Sequence, residues 1–141
     1  MKKYIDIAFI YAIAALISGV FYREFTKIND FSGKTSLAFT HVHLFALGTL
    51  LFLIVGIFAI MTDVSEKKSF KRFMTIYNFG LPFVVAMMYL RGILQVLEVE
   101  LSKGASAAIS GIAGLSHILM TIGLILLFVS LRKSHVKKTA F

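Results

Sequence analysis

Three histidines and one arginine are the residues inside the long apolar stretches of this sequence whose side chains could do chemistry. His41 and His43 lie two residues apart, while Arg91 and His117 each lie in a separate apolar stretch. Ionisable groups in such surroundings are costly and usually functional. Because neutral imidazole ligates heme iron and transition metals, the three histidines predict a heme or metal site.

The His-x-His spacing predicts two different neighbours rather than one shared ion. On a helix, a separation of two residues is a rotation of about 200°, so His41 and His43 point to opposite faces. Gly48 follows His41 by seven residues and lies on the same face, where a missing side chain leaves room for a flat macrocycle. This favours heme over a bare ion for His41. The alternative is that either ring makes an interhelical hydrogen bond.

His117 is predicted to lie in a groove, because its helix face carries small and hydroxylated residues: Ser106, Ser110, Ala113, Gly114 and Thr121. Either a neighbouring helix or a porphyrin can fill such a groove. The apolar stretch around His117 contains no carboxylate to act as a general base, which disfavours hydrolytic zinc chemistry. Counted from the same end of each run, His117 lies about 8–10 Å deeper than the His41 and His43 pair. One iron held by both helices therefore requires a stagger or tilt between them.

Arg91 has two interpretations. Gln95 and Glu98 follow it on the same helix face, so the guanidinium could snorkel outward and pair with Glu98. Alternatively, Arg91 supplies the cation that binds anionic groups such as heme propionates.

The composition of the chain indicates what must position these residues. Of 141 residues, 58% are hydrophobic and 16% are charged, which excludes a soluble enzyme, a disordered chain and a nucleic-acid-binding module. There are no cysteines, so disulfides and thiolate metal sites are excluded. The uncharged runs predict an all-α integral membrane four-helix bundle, a single domain over 1–141 with helices at about 4–22, 36–62, 73–97 and 105–131.

The net charge of +8 predicts orientation rather than a nucleic-acid partner. Lysine and arginine concentrate in the N-terminal residues 1–3, in the loop 63–72 and in the tail from Arg132 to Lys138. By the positive-inside rule, these segments and both termini are cytoplasmic. We therefore expect a multi-pass protein of the bacterial plasma membrane. Its first helix is read as an uncleaved anchor, and its basic tail is attracted to anionic lipid.

The segment Thr40-His41-Val42-His43-Leu44-Phe45-Ala46-Leu47-Gly48 resembles a heme-bearing helix of heme–copper oxidase subunit I. In that subunit a His-x-His ligates two hemes on opposite helix faces, and a glycine follows five residues after the second histidine. The preceding Tyr22-Arg23-Glu24-Phe25 and polar loop also look like that subunit's passage between its first two helices. The resemblance covers about residues 18–56. In length and span number the chain is similar to a family of small uncharacterised four-span bacterial membrane proteins.

The twelve helices of that subunit form three arcs of four. The resemblance therefore implies that this four-helix chain corresponds to one of the three arcs. A homotrimer of this chain would then resemble the oxidase core. The sequence lacks a further histidine pair for copper and a His–Tyr cross-link motif, which argues against oxygen reduction and leaves a role as an oxidoreductase component open.

The sequence thus predicts a membrane protein that binds heme b through His41, His43 and His117. Arg91 is predicted to bind the heme propionates, and the missing side chain of Gly48 is predicted to leave space for the macrocycle. Electron transfer or sensing of heme or a small gas is the expected role, with a redox partner that the sequence does not identify. Two alternatives remain open. One is a cofactor-free transporter, channel subunit or accessory protein, and the other is a transition metal at the outer histidines.

Overall fold

The chain folds into four long helices. The computed structural model describes residues 1–137, so Lys138 of the predicted basic tail lies outside the described residues. Within that range the helices are α1 (Lys2–Ile28), α2 (Ser36–Met61), α3 (Lys68–Val96) and α4 (Lys103–Arg132). All four are long and apolar enough to cross a membrane. The predicted all-helical fold with four such helices is confirmed.

The helices are longer than the uncharged runs from which they were predicted. α1 continues six residues beyond the predicted end at residue 22, and α3 begins at Lys68 rather than near residue 73. The added residues include Arg23, Glu24, Lys27 and Lys71, and side chains of these types favour helix formation. Charge therefore marked the limits of the apolar stretch and not the limits of the helix.

Successive helices pack in antiparallel pairs to form an arc. Each helix contacts the next one along the chain, whereas α1 and α4 share no extensive contact within residues 1–137. The core is a row of aromatic rings: Tyr11 stacks on Phe52 at 5.8 Å, and Phe73 lies 6.1 Å from Phe52 and 5.3 Å from Tyr77. Phe52, Phe73 and Tyr77 are fully buried.

The outer surface of the arc is apolar. Phe9, Phe79 and Phe128 are each 64% exposed, and many leucines and isoleucines on all four helices are exposed as well. Water would not tolerate so much contiguous apolar surface on a chain of this size. A lipid environment accounts for this surface and for the length of the helices.

The arc has two chemically different ends, which we name by their residues. The loop end comprises residues 29–35 and 97–102, and the basic end comprises residues 1–3, 62–67 and 133–137. At the loop end, Thr35 Oγ1 donates to the Gly92 carbonyl at 2.9 Å and the Ser36 amide donates to Gln95 Oε1 at 2.8 Å. These bonds tie the start of α2 to the end of α3.

The basic end is closed by the segment that follows α4. The Lys137 amide donates to the Met61 carbonyl at 2.9 Å, and the Asp63 amide donates to the His135 carbonyl at 3.1 Å. The Asp63 carboxylate accepts the His135 amide at 2.8 Å and the Lys67 ammonium at 2.7 Å. Those bonds hold the pKa of Asp63 below its ordinary value.

We expect this closure to weaken in acid. A carboxylate whose pKa is depressed by folding stabilises the native contacts above its ordinary pKa of about 4, and this contribution is lost as the pH falls through the depressed value. At neutral pH, Asp63→Ala should therefore speed hydrogen exchange at the His135 and Lys137 amides. Glu66→Ala is the control, since Glu66 is exposed and forms no ion pair within the described residues. Equal exchange in the two variants would contradict the assignment.

Candidate functional site

α2 changes its helical form directly after its two histidines. Residues 40–43 are α-helical, Leu44–Leu50 form a π-helical turn, and α-helix resumes at Leu51. Short π turns inside α-helices are frequent at functional sites. The turn adds one residue, so the face of His43 continues at positions eight and fifteen further on, which are Leu51 and Phe58.

His41 faces α1. A Cβ on Gly19 of α1 would lie 3.8 Å from the His41 ring, so a glycine allows the two helices to approach there. The Nδ1 atom of His41 is buried and has no hydrogen-bond partner among the described residues. His41 is therefore packed between helices, with a ring nitrogen left unsatisfied.

Gly48 also faces α1, on the same side of α2 as His41. A Cβ on Gly48 would lie 2.5 Å from Tyr11 Cγ and 2.6 Å from Tyr11 Cβ. In the structure the Tyr11 side chain thus occupies the space that the sequence interpretation gave to a macrocycle. The absence of a side chain at Gly48 serves the close packing of α1 on α2.

His43 and His117 share a hydrogen-bonding arrangement that His41 lacks. Nδ1 of His43 lies 2.9 Å from the Phe39 carbonyl, and Nδ1 of His117 lies 2.8 Å from the Ala113 carbonyl. Because a carbonyl only accepts, each Nδ1 carries the proton and each Nε2 keeps its lone pair. Histidines that ligate metals commonly bond their other ring nitrogen in this way.

A groove lies between α2 and α4 on the basic-end side of both histidines, and neither histidine lines it. It has a volume of about 490 Å³ and is lined almost wholly by apolar side chains: Ala46, Leu50, Leu51, Ile54, Val55 and Phe58 of α2, and Leu124, Leu127, Phe128 and Leu131 of α4. Leu51 and Phe58 continue the face of His43. Leu124 and Leu131 continue the face of His117 at seven and fourteen residues.

The two histidines also lie at similar depth. The successive antiparallel pairs make α2 and α4 run in the same direction. The residues of α2 that line the groove lie between 46 and 58, and His43 is nine residues before the midpoint of that stretch. The residues of α4 that line it lie between 124 and 131, and His117 is ten or eleven residues before that midpoint. The stagger that the sequence interpretation required for one iron is therefore present, because α4 begins further out than α2.

Arg91 binds α4 rather than Glu98. Its Nη1 donates to Ser110 Oγ at 3.2 Å, and no ion pair joins Arg91 to Glu98 in the described part of the chain. Ser110 lies on the face of His117, two helical turns or about 10 Å nearer the loop end. Gln95, which the sequence interpretation grouped with Arg91, instead accepts the Ser36 amide.

The structure does not gather the histidines into a metal cluster. Across residues 1–137, no three side chains of His, Cys, Asp or Glu come together in a way that could hold an ion. Structural zinc sites use four protein ligands and catalytic sites three. The arrangement gives no support to the bare-ion alternative for His41, His43 and His117.

Sequence reasoning missed the uncharged polar residues of the interior. Ser18 Oγ donates to Thr40 Oγ1 at 2.6 Å, Tyr11 OH donates to Asn78 Oδ1 at 3.4 Å, and Tyr77 OH donates to the Leu47 carbonyl at 2.9 Å. Such residues occur singly in apolar helices and leave no charge signal.

Comparisons with known proteins add a family and no function. A family model described as "Protein of unknown function (DUF2871)" matches residues 1–134. No curated protein and no solved structure matches the chain.

Proposed function

The chain belongs to the DUF2871 family of proteins of unknown function, and we propose that it is a membrane protein that binds heme b between α2 and α4. The observation that carries the proposal is the pair of histidines with free Nε2 atoms. His43 and His117 lie at similar depth on helix faces that border one groove, each with Nδ1 bonded to the carbonyl four residues before it.

The residues around the pair fit the two-sided chemistry of heme. On the α4 face of His117, the polar contact of Arg91 with Ser110 lies towards the loop end. The apolar groove that begins at Leu124 lies towards the basic end. A macrocycle between the histidines would therefore direct its propionates to a guanidinium and its apolar edge into leucine and phenylalanine side chains.

His43 and His117 would hold the heme iron, and Arg91 would neutralise the propionates. When bound, heme would supply a one-electron redox centre or a gas-binding iron. The carbonyls of Phe39 and Ala113 would hold both imidazoles in the tautomer that leaves Nε2 free. His41 and Gly48 are not part of the proposed heme site, because both face α1 and Tyr11 fills the space at Gly48.

The number of histidines on the iron separates the two roles. Heme held by both His43 and His117 would suit electron transfer, whereas heme held by one of them would suit the binding of a small gas. We propose electron transfer, since His43 and His117 each keep a free Nε2 on helix faces that continue into the same groove. Oxygen reduction is not proposed, because the described residues offer no histidine cluster that could hold copper.

We further propose that the protein spans the bacterial plasma membrane with the basic end, and therefore both termini, in the cytoplasm. The resemblance to one arc of heme–copper oxidase subunit I, and the homotrimer that it implies, stay proposals, since no solved structure matches the chain. Cross-linking in native membranes tests this assembly. A ladder that stops at three chains supports the trimer, and one that stops at two contradicts it.

Expression with heme supplied, purification in mild detergent and a pyridine hemochrome spectrum test the main proposal. We expect a Soret band and about one heme b per chain. If the protein stays colourless both after purification and after reconstitution with heme, heme binding is wrong. A cofactor-free transporter, channel or accessory protein then becomes the better interpretation.

A further inference from the structure

Tyr77 of α3 is the largest fully buried side chain that touches both neighbouring helices. Its ring is completely shielded and lies 6.0 Å from the Phe52 ring of α2 and 5.3 Å from the Phe73 ring of α3. Nothing in the heme proposal uses this residue. Its contacts at the two ends of the side chain indicate what it does.

The hydroxyl end of Tyr77 is bonded to the π turn of α2. Tyr77 OH donates to the Leu47 carbonyl at 2.9 Å. Leu47 is in the middle of Leu44–Leu50, where hydrogen bonds to the fifth residue replace those to the fourth. The phenol therefore adds a hydrogen bond from another helix to a carbonyl of the π turn, which stabilises this form of α2.

The Cβ end of the same side chain is pressed against α4. A Cβ on Gly123 would lie 3.0 Å from both Cβ and Cδ2 of Tyr77, so only glycine allows this contact without displacement. Tyr77 therefore spans the interior from Gly123 of α4 to Leu47 of α2. Leu47 is four residues after His43, and Gly123 is six residues after His117.

We propose that Tyr77 is a strut that sets the separation of α2 and α4 next to the histidine pair. The strut is a positioning residue. Its length determines whether His43 and His117 can both reach one iron, and its bond to Leu47 keeps the π turn that directs the face of His43 into the groove. The consequence for ligation rests on the proposed heme function, whereas the strut itself does not.

The spacing can be measured without heme, because the chain has no native cysteine. Leu50→Cys with Phe128→Cys places two spin labels on exposed positions of α2 and α4 that line the groove. We expect Tyr77→Phe to broaden the label-to-label distance distribution. Gly123→Ala should lengthen its mean, because the new methyl pushes Tyr77 towards α2. Tyr89→Phe is the matched control, since the Tyr89 hydroxyl makes no hydrogen bond to the residues described. Distributions identical to that of the control would overturn the strut.

The second measurement is the spectrum of the heme and its affinity for the protein. We expect Tyr77→Phe to convert part of a low-spin, two-histidine spectrum into a high-spin, one-histidine spectrum and to lower heme affinity on the order of tenfold, as for one lost buried hydrogen bond. If heme binds and neither spectrum nor distances change, the strut is wrong. If distances change but the unaltered protein binds no heme, the strut stands and the heme proposal fails.

Discussion

His117→Gln and His43→Gln are each expected to remove heme from the purified protein. Glutamine offers an amide in place of an imidazole and cannot provide the Nε2 lone pair that each histidine keeps free. Loss of a residue that only supports a ligand typically costs about 10–100-fold in affinity. Loss of the ligand itself should cost more than about 100-fold, so the Soret band disappears.

Two other histidines provide the controls for that experiment. The His135 ring is 85% exposed, and the contacts of that residue with Asp63 run mainly through its backbone amide and carbonyl, so His135→Gln should retain the full spectrum. His41→Gln should also retain heme, because His41 faces α1 and not the groove. A protein that keeps its Soret band without His43 and His117 but loses it without His41 would contradict the proposed site.

Gly92→Ala is expected to be the most destabilising small substitution at the loop end. A Cβ there would lie 2.6 Å from the Leu37 amide nitrogen and 2.6 Å from Leu37 Cγ. The Leu37 backbone cannot move freely, because the adjacent Thr35 and Ser36 are bonded to Gly92 and Gln95 of α3. Overpacking costs about 1–3 kcal/mol, and a clash with backbone belongs at the upper limit, about 3 kcal/mol.

Gly111→Ala makes the same chemical change in α4 without the clash. No atom outside its own stretch of helix lies within 4 Å of a Cβ on Gly111. Alanine in an open helix interior is favoured over glycine by roughly 0.5–1 kcal/mol. Unfolding in detergent, followed by circular dichroism, should therefore separate the two variants by about 3–4 kcal/mol. Equal stability would show that the start of α2 is not held against α3 as described.

The bundle could be predicted from the sequence because its determinants are local. Charge-free runs long enough to cross a bilayer require helices, since no other open structure satisfies the backbone there. The same runs placed His41, His43, Arg91 and His117 inside the apolar region. The opposite directions of His41 and His43 followed from helix geometry alone. Only the helix ends were misjudged, because helix formation continues through charged residues that lie outside the apolar layer.

The site itself depended on contacts between residues far apart in the sequence. The sequence alone did not distinguish the three histidines. In the structure the Phe39 and Ala113 carbonyls orient the rings of His43 and His117, whereas the third histidine packs against Gly19. The missing side chain at Gly48 could have made room for a macrocycle or for a neighbouring helix. In the structure Tyr11 of α1 fills that space. The π turn was not predicted, because one of its carbonyls is bonded by Tyr77, thirty residues later in the sequence.

What the sequence determined by itself, then, is the number of helices, their apolar length and the chemical types available within them, all of which follow from the neighbours of each residue. The tertiary structure decided the stagger of α2 against α4, the Arg91 to Ser110 contact and the closure of the basic end by residues 135–137. Helix surfaces of leucine, isoleucine and phenylalanine are nearly interchangeable in sequence. The register in which two helices pack is set by the positions where small residues allow close approach. This register can be determined only when the structures of both helices are known.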